Sequence, residues 1–222
     1  MITVHHLEKS RSQRVLWLLE ELGAAYEVVH YKRHPATLLA PPELRAIHPL
    51  GKSPVIVDGD LTVAETGAII EYLVETHGGG RLAPAPGTPE RLAYRYWLHY
   101  AEGSAMPPLL LKLLFSRLPR GVPALIRPIA RMIAAKALER MIDPQIANHM
   151  RYWNEAVARA PWFAGAEFTA ADVQMSFPVE AAAGRVGLGE GHGALRDWLD
   201  RVHARPAYQR ALATGGGFEL VR

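Results

Sequence analysis

The chain has 222 residues, enough for one large or two small domains with a buried core. It is 49% hydrophobic and 21% charged, as in ordinary soluble globular proteins, and it has no cysteine, which excludes disulfides, thiolate metal sites and a protein-borne thiol nucleophile. The formal net charge is +3, but acids and bases are interleaved along most of the chain, a pattern that does not favour nucleic-acid binding.

The first residues predict a strand followed closely by a helix. The segment 2–7, ITVHHL, has the β-branched residues of a short strand, and apolar residues from Val15 to Leu22 recur at the spacing of one helical face. Ser10 and Gln13 have the spacing of a capping box, which predicts a helix that begins just after Ser10. Because a helix start leaves backbone N–H groups free, this serine either caps the helix or faces an anionic ligand.

The following segments complete an α/β module. Gly23 is expected to end the helix, and AYEVVHY predicts a second strand, parallel to the first with a right-handed crossover. A polar, irregular stretch then runs from Lys32 to His48. Two β-rich runs joined by Asp58-Gly59-Asp60 predict a hairpin, and TGAIIEYLVETHGGG predicts the closing helix. The order is therefore β-α-β, an irregular stretch, and β-β-α.

The remainder of the chain is predicted to be helical. A Gly- and Pro-rich linker, residues 79–89, divides a first domain at 1–78 from an all-helical domain at 90–222. Helices are predicted at Leu92–Tyr100, Gly121–Arg140 and Pro144–Arg159, from about Ala170 onward, and twice between Leu195 and Leu212. Pro107-Pro108 should kink or end the first of these helices, and Asp143 should cap the third. The last ten residues are expected to be irregular.

Three further motifs carry specific expectations. Pro54 precedes the run Val55–Val57, a position that leaves the preceding backbone free to pair with another group, or that simply opens an edge strand. Glu65 and Thr66 precede a helix, where a carboxylate ligand would meet free N–H groups, or where Thr66 would simply cap the helix. A second capping box, Thr169 to Asp172, concerns folding of the helical domain. The ten histidines lack the spacing of metal ligands, so no metal site is expected.

Four segments in the right order resemble the cytosolic glutathione transferases, over nearly the whole chain. SRSQRVLWLLEELG is similar to the active-site loop and first helix of the serine-dependent, theta-like members, and HPLGKSPVIVDGDLTVAET to their glutathione-binding region. FTAADVQM resembles the family's buried capping box, and RPAYQRAL its closing segment. The resemblance implies a thioredoxin-like domain followed by an all-helical domain, glutathione as co-substrate, and a cytoplasmic homodimer with a role in detoxification.

The resemblance implies that Ser10 stabilises the glutathione thiolate, with Ser12 as the alternative. A thiol with a pKa of ~8.5 is mostly protonated at neutral pH, and the thiolate is the nucleophile. Lowering that pKa by ~2 units needs about 2.7 kcal/mol. One charged hydrogen bond of ~1.5–3 kcal/mol with a helix-dipole contribution below ~1 kcal/mol would suffice. Arg14 would be a supporting cation near this loop or an ordinary surface arginine.

The resemblance also implies the contacts to the rest of glutathione. Lys52 would neutralise the glycyl carboxylate, or be a solvated loop lysine. The backbone of Ser53, held by a cis Pro54, would pair with the cysteinyl backbone. Glu65 would accept from the γ-glutamyl ammonium, and Thr66 with the helix start would bind the carboxylate of that group. Thr66 stands in place of the family's more usual serine.

A small hydrophobic electrophile is the expected second substrate, in a cleft whose wall would include Tyr100, Met106 and Leu110, although aromatic residues at helical spacing are more often core. We therefore expect a glutathione transferase. The alternatives are disulfide reductase or peroxidase activity on the same fold, with glutathione supplying both sulfurs, or isomerase or dehalogenase activity. A non-catalytic binding or interaction protein is a further alternative, which the complete set of glutathione contacts disfavours.

Neither a membrane nor a nucleic acid is expected as a partner. No targeting segment is visible in MITVHHLEKSRSQ, and the most apolar stretch, AMPPLLLKLLF, is shorter than the ~20 residues of a membrane span. The segment IRPIARMIAAKALER is basic and amphipathic. It is consistent with a membrane-surface helix, but a helix with a solvated cationic face is the favoured interpretation.

Overall fold

The computed structural model describes residues 1–37 and 39–216 and confirms the expected fold class. A four-stranded mixed sheet with helices forms the N-terminal part, and helices form the rest. Strands β1 to β4 are Ile2–Leu7, Tyr26–Tyr31, Val55–Asp58 and Leu61–Ala64. Helices α1 to α10 are Ser12–Leu22, Leu44–Ile47, Thr66–His77, Pro89–Tyr100, Met106–Arg117, Arg127–Ala137, Asp143–Arg159, Ala170–Arg185, Gly193–His203 and Pro206–Gly215.

The strand order β2-β1-β3-β4 brings three loops to one end of the sheet. β1 is parallel to β2, whereas β3 is antiparallel to both β1 and β4, as the predicted hairpin requires. Val55 at the start of β3 lies opposite His5 near the end of β1, and also opposite Ala64 at the end of β4. The loop after β1, the loop before β3 and the turn from β4 into α3 therefore meet.

Helix α1 joins the two parts of the molecule, because it packs against α3, α8 and α10 and is buried along most of its length. The predicted capping box at its start is wrong. The helix begins at Ser12, and the backbone N–H of that residue donates to Ser10 Oγ at 3.3 Å. The side chain of Gln13 lies against Gly215 of α10 instead of reaching back to Ser10, so the reciprocal bond cannot form.

Two long helices of the second domain continue through π-helical turns where sequence reasoning placed breaks. α4 runs into α5 through Ala101–Ala105, and α6 runs into α7 through Leu138–Ile142. A proline follows each turn within two residues. Because proline has no N–H and its ring excludes the carbonyl one turn earlier, a wider turn accommodates it without ending the helix. Asp143 is consequently not a cap; it is helical and accepts from Lys112 at 2.7 Å.

The capping box that opens α8 is confirmed. Asp172 Oδ2 accepts from the backbone N–H of Thr169 at 3.0 Å, and its other oxygen accepts from Phe163 N and Trp198 Nε1 at 2.9 and 3.1 Å. Burial raises the pKa of Asp172 to about 6, although the surrounding donors act to lower it. A single carboxylate thus joins the start of α8 to the preceding loop and to α9.

Helix α10 extends to Gly215, so the first three residues of the tail predicted to be irregular are helical. The rest of that tail from residue 217 lies outside the described residues. Among residues 1–37 and 39–216, no helix has the length and apolar character needed to cross a membrane.

Candidate functional site

The three loops enclose a cleft of about 550 Å³ whose outer wall comes from the helical domain. The residues predicted from the sequence that line this cleft are Lys52, Ser53, Pro54, Glu65, Thr66 and Leu110. Leu7 borders it from the end of β1, Arg11 from the β1–α1 loop, and Glu102 from the π turn after α4. Most of the residues that the resemblance placed around glutathione are therefore brought together.

The loop before β3 is fixed to the central strand. The Ser53–Pro54 peptide bond is cis. The hydroxyl of Ser53 donates to the carbonyl of His5 at 2.8 Å and accepts from the N–H of Leu7 at 3.2 Å. These two bonds hold the loop beside the end of β1.

The turn into α3 presents an open helix start to the cleft. Glu65 precedes the helix with φ of +71°, a left-handed conformation that is uncommon for a residue with a side chain. Thr66 is the first helical residue, and no side chain among the described residues caps the helix. The alternative in which Thr66 is only a cap is thus not what the structure shows. Free N–H groups at this position suit a carboxylate.

A buried arginine contacts this turn from the protein interior. The side chain of Arg14 is only 2% exposed, so it is not a surface arginine. It donates to the carbonyl of Gln174 at 2.7 Å and to Thr66 Oγ1 at 3.5 Å, and it pairs with Glu102. Because Arg14 acts as the donor to Thr66 Oγ1, the hydroxyl hydrogen of Thr66 remains available for a ligand.

Glu102 is shared by two arginines, since Arg11 Nε also lies 2.9 Å from its carboxylate. Burial alone would raise the pKa of Glu102, but Arg14 and Arg11 hold that pKa below its ordinary value. Burial lowers the pKa of Arg14, and Glu102 counteracts it. The carboxylate remains ionised at neutral pH and ties the two domains together behind the cleft.

Sequence reasoning missed Glu102 and Arg11. π turns are frequent at functional sites, but the turn that carries Glu102 leaves no mark in the sequence except a nearby proline. Arg33, Arg45 and Lys52 also line the cleft, so its cations outnumber its carboxylates. Such a cleft attracts a ligand with more than one negative charge.

Ser10 directly precedes Arg11 but does not itself line the cleft, and its hydroxyl is turned into the protein. Its side chain is 6% exposed, and Ser10 Oγ is 2.7 Å from Ser12 Oγ. Ser12 Oγ is in turn 2.9 Å from His6 Nδ1, and His6 Nε2 is 3.1 Å from the carbonyl oxygen of Gly215. The four residues form one buried hydrogen-bonded chain.

The direction of hydrogen donation along this hydrogen-bonded chain follows from its innermost bond, between His6 and the carbonyl of Gly215. A carbonyl only accepts, so His6 Nε2 must carry a hydrogen. Burial, with the nearby His30 acting in the same direction, lowers the pKa of His6 to about 4, so the ring is neutral at neutral pH and Nδ1 is an acceptor. Ser12 therefore donates its single hydrogen to His6 at 2.9 Å, with the carbonyl of Leu7 as a more distant acceptor at 3.3 Å, and Ser10 must donate its own to Ser12.

Two residues predicted for the second-substrate wall lie in the core instead. Tyr100 is bonded through its hydroxyl to His149 and accepts from Trp153 Nε1 at 3.0 Å, and Met106 is buried. Because α4 continues into α5, these side chains occupy the inward face of one long helix, whereas Leu110 is 48% exposed at the cleft. In the part of the chain that the structure describes, no three histidine or carboxylate side chains come together as metal ligands.

Comparison with known proteins identifies the family. The family model for the glutathione S-transferase N-terminal domain matches residues 1–75. Glutathione S-transferase 3 of Schizosaccharomyces pombe is 34% identical over 93% of this chain and 85% of its own length. The chain belongs to the glutathione S-transferase family. Glutathione S-transferase 1 of Saccharomyces cerevisiae is 31% identical over 98% of both chains.

Solved members of the glutathione S-transferase family share the fold. A glutathione S-transferase from Actinobacillus pleuropneumoniae has a TM-score of 0.79 and 30% identity over 98% of this chain and 94% of its own. A theta class enzyme from Xanthomonas axonopodis pv. citri, solved with glutathione bound, has a TM-score of 0.74 and 26% identity over 99% of both. The family's members differ in activity, because a disulfide-bond oxidoreductase from Escherichia coli is 28% identical over 96% of this chain and 94% of its own.

Proposed function

We propose that this protein is a glutathione transferase, which activates the thiol of glutathione for attack on an electrophilic carbon of a small hydrophobic molecule. The observation that carries the proposal is the cleft, where the loops place charges complementary to those of glutathione. Lys52 and the open start of α3 suit its two carboxylates, and Glu65 suits its ammonium. The theta class relative with glutathione bound supports the same ligand here.

Glutathione would lie along the three loops. Its glycyl carboxylate would meet Lys52, and its cysteinyl backbone would pair with the backbone of Ser53. The γ-glutamyl carboxylate would accept from Thr66 and the first N–H groups of α3, while Glu65 would accept from the ammonium. Glu102 also lines the cleft, with its negative charge paired to Arg11 and Arg14.

Thiol activation requires Ser10 to exchange one hydrogen bond for another. Its hydroxyl would leave Ser12 and donate to the thiolate, replacing a neutral bond of ~0.5–1.5 kcal/mol by a charged one of ~1.5–3 kcal/mol. The net gain of about 1 kcal/mol lowers the thiol pKa by less than one unit. The N-terminus of α1 would have to contribute a comparable amount, because the charge of Arg11 is already paired with Glu102.

The second substrate would occupy the open, apolar side of the cleft. Leu39, Leu50 and Leu110 line it there and are all exposed. They would form the second-substrate wall instead of Tyr100 and Met106, which are buried. Their apolar side chains favour an electrophile with a hydrophobic body. A cytoplasmic homodimer remains the assembly that the resemblance implies.

The proposal is tested by titrating the thiolate absorbance of bound glutathione against pH, for the wild-type protein and Ser10→Ala. We expect a thiol pKa below the free value of ~8.5 in the wild type and a rise of ~0.7 unit in the variant. Retention on immobilised glutathione is measured beside it. A protein that is not retained would be an interaction module, and equal thiol pKa values in both proteins would mean that Ser10 does not contact the thiol.

A disulfide reductase or peroxidase is the second candidate, favoured by the disulfide-bond oxidoreductase among the relatives. Because the chain has no cysteine, glutathione would supply both sulfurs, one as the attacking thiolate and one from the disulfide or from a second molecule. Turnover of a glutathione mixed disulfide, without conjugation of a hydrophobic electrophile, would favour this candidate. Isomerase or dehalogenase activity would appear as turnover of an isomerisable or halogenated substrate without consumption of a disulfide.

A further inference from the structure

Positive charge is concentrated around the start of helix α6. Residues 107–142 contain seven lysines and arginines and one acidic residue, whereas the whole chain has a formal net charge of only +3. The first turn of α6 has no acidic residue, and no side chain among the described residues caps it. Since the N-terminus of a helix is itself positive, cations beside it are unfavourable unless an anion lies nearby.

Three of these arginines line one cavity. Arg120, Arg127 and Arg131 surround a space of about 400 Å³ together with Ser116 and Pro119. Arg127 and Arg131 are four residues apart on α6, a spacing at which like charges repel, and Arg120 adds its charge from the turn after α5. Within residues 1–37 and 39–216, none of the three pairs with a carboxylate. A bound anion would relieve the repulsion.

Arg127 differs from the other arginines whose Nε atoms are buried without a partner. Those of Arg91, Arg185 and Arg201 are buried in the same way, but each of these side chains donates through another nitrogen to a backbone carbonyl. The guanidinium of Arg127 makes no hydrogen bond or ion pair in the part of the chain that the structure describes. A buried donor without an acceptor is costly, so this arrangement favours a ligand that accepts hydrogen bonds.

We propose that Ser116, Arg120, Arg127 and Arg131 form a binding site for the phosphate group of a small, polar phosphate ester. The planar donor pairs of arginine match the oxygens of phosphate, and the hydroxyl of Ser116 supplies a further donor. The cavity of about 400 Å³ lies within the range of ~300–1,000 Å³ of small-molecule sites, so it also has room for the body of the ester. Its lining of arginines, a serine and one proline suits a hydrophilic body.

The apolar side of α6 favours a soluble ester over a phospholipid as the source of this phosphate. Ile129, Met132 and Ile133 are exposed on one side of the helix. With 3.6 residues per turn, Arg127 and Arg131 lie about 150–170° around the helix from the centre of that stripe. A lipid whose headgroup occupied the arginine pocket would therefore have its acyl chains on the side opposite to the apolar residues.

The arginine pocket is separate from the glutathione cleft. Leu110 of α5 lines the cleft, and Ser116 of the same helix lines the pocket. The six residues between these positions correspond to about 9 Å along the helix and about 120° around it. The two sites thus lie on different faces of α5, and the proposal does not depend on the glutathione site.

The test is a calorimetric titration with glycerol 3-phosphate, with glycerol as the uncharged control. We expect the ester to bind and glycerol not to bind. Arg127→Gln should weaken binding of the ester by about ten-fold or more, the effect of losing one charge-assisted hydrogen bond. Arg151→Gln is the matched control, since it removes the same charge from an exposed arginine of α7 that donates to Asn148. It should bind the ester as the wild type does.

Further arms separate the pocket from other sources of binding. Lys52→Gln changes the cationic cleft and should leave binding of the ester unchanged, and Arg131→Gln, at a more exposed position of the pocket, should weaken it as Arg127→Gln does. Melting temperatures without ligand report the fold of each variant. No binding of the ester, equal losses for Arg127→Gln and Arg151→Gln, or loss only in Lys52→Gln would overturn the proposal. So would binding of inorganic phosphate alone, or binding only to vesicles that contain phosphatidic acid.

Discussion

The hydroxyl hydrogen of Ser10 is donated to Ser12 Oγ in the structure. In the proposed complex it would be donated to the thiolate of glutathione instead. Ser12→Ala removes Ser12 Oγ as an acceptor and leaves Ser10 free to donate only to the thiolate. We expect the thiol pKa of bound glutathione to fall by about 0.4 to 1 unit, the value of one neutral hydrogen bond, in the direction opposite to Ser10→Ala. The measurement is the same thiolate titration.

Ser176→Ala is the matched control for this variant. Ser176 is also a buried serine, but its hydroxyl donates to the carbonyl of Val173 within α8 and not to the chain at Ser10. The thiol pKa of glutathione bound to Ser176→Ala should equal that of glutathione bound to the wild type. If Ser12→Ala instead raised the thiol pKa, Ser12 and not Ser10 would be the residue that contacts the sulfur.

The sequence located the candidate contacts of glutathione but not the orientation of Ser10. Lys52, Glu65 and Thr66 lie in short loops next to predicted strands and helices, so their meeting follows from the topology. The direction of the Ser10 hydroxyl is decided by His6 and by the carbonyl of Gly215, which is more than two hundred residues away from that histidine. No local pattern contains such a contact.

At the scale of the helix, the start of α8 depends on more than a cap. Asp172→Ala removes the capping acceptor, which contributes ~0.5–2 kcal/mol, and leaves Phe163 N and Trp198 Nε1 as buried donors without partners, at ~1–3 kcal/mol each. We expect the free energy of unfolding to fall by about 3 to 5 kcal/mol, measured by urea denaturation. This exceeds the ~1–2 kcal/mol that the sequence motif alone predicts.

Thr169→Ala separates the cap from the buried network, because it removes the threonine side chain and leaves both oxygens of Asp172 in place. Its loss should be only about 1 kcal/mol. Equal losses for the two variants would mean that Phe163 and Trp198 find other acceptors, and that the carboxylate is no more than a cap.

The positions of helices could be predicted from periodicity, but their continuity could not. Proline is a reliable sign that an α-helical turn is interrupted, and on that basis breaks were expected near Pro107 and Asp143. The helices continue because a π turn absorbs each proline, and such a turn depends on packing against neighbouring helices. The position of Glu102 in the cleft follows from one of these turns, which is why sequence reasoning missed it.

At the scale of the whole molecule, ion pairs link the first domain to the helical domain near both ends of α1. Arg14 pairs with Glu102 near the start of the helix, and Glu21 pairs with Arg205 at 2.6 Å near its end. Only the first pair contains a nearly inaccessible guanidinium, so loss of its carboxylate would leave a buried charge uncompensated. Stability of the joint between the domains should therefore depend on the ionisation of Glu102.

The sign of this pH dependence follows from the lowered pKa of Glu102. The unfolded chain has the ordinary carboxyl value, so the stabilisation is fully present above that value and is lost as the pH falls through the lower folded value. Glu102→Gln should melt below the wild type at neutral pH, and the difference between their melting temperatures should shrink as the pH falls below the ordinary carboxyl value and through the lower folded value. Glu155→Gln, which removes an exposed carboxylate 3.6 Å from Arg159, should show no such convergence. A difference for Glu102→Gln that stayed constant with pH would mean that the carboxylate acts through packing and not through its charge.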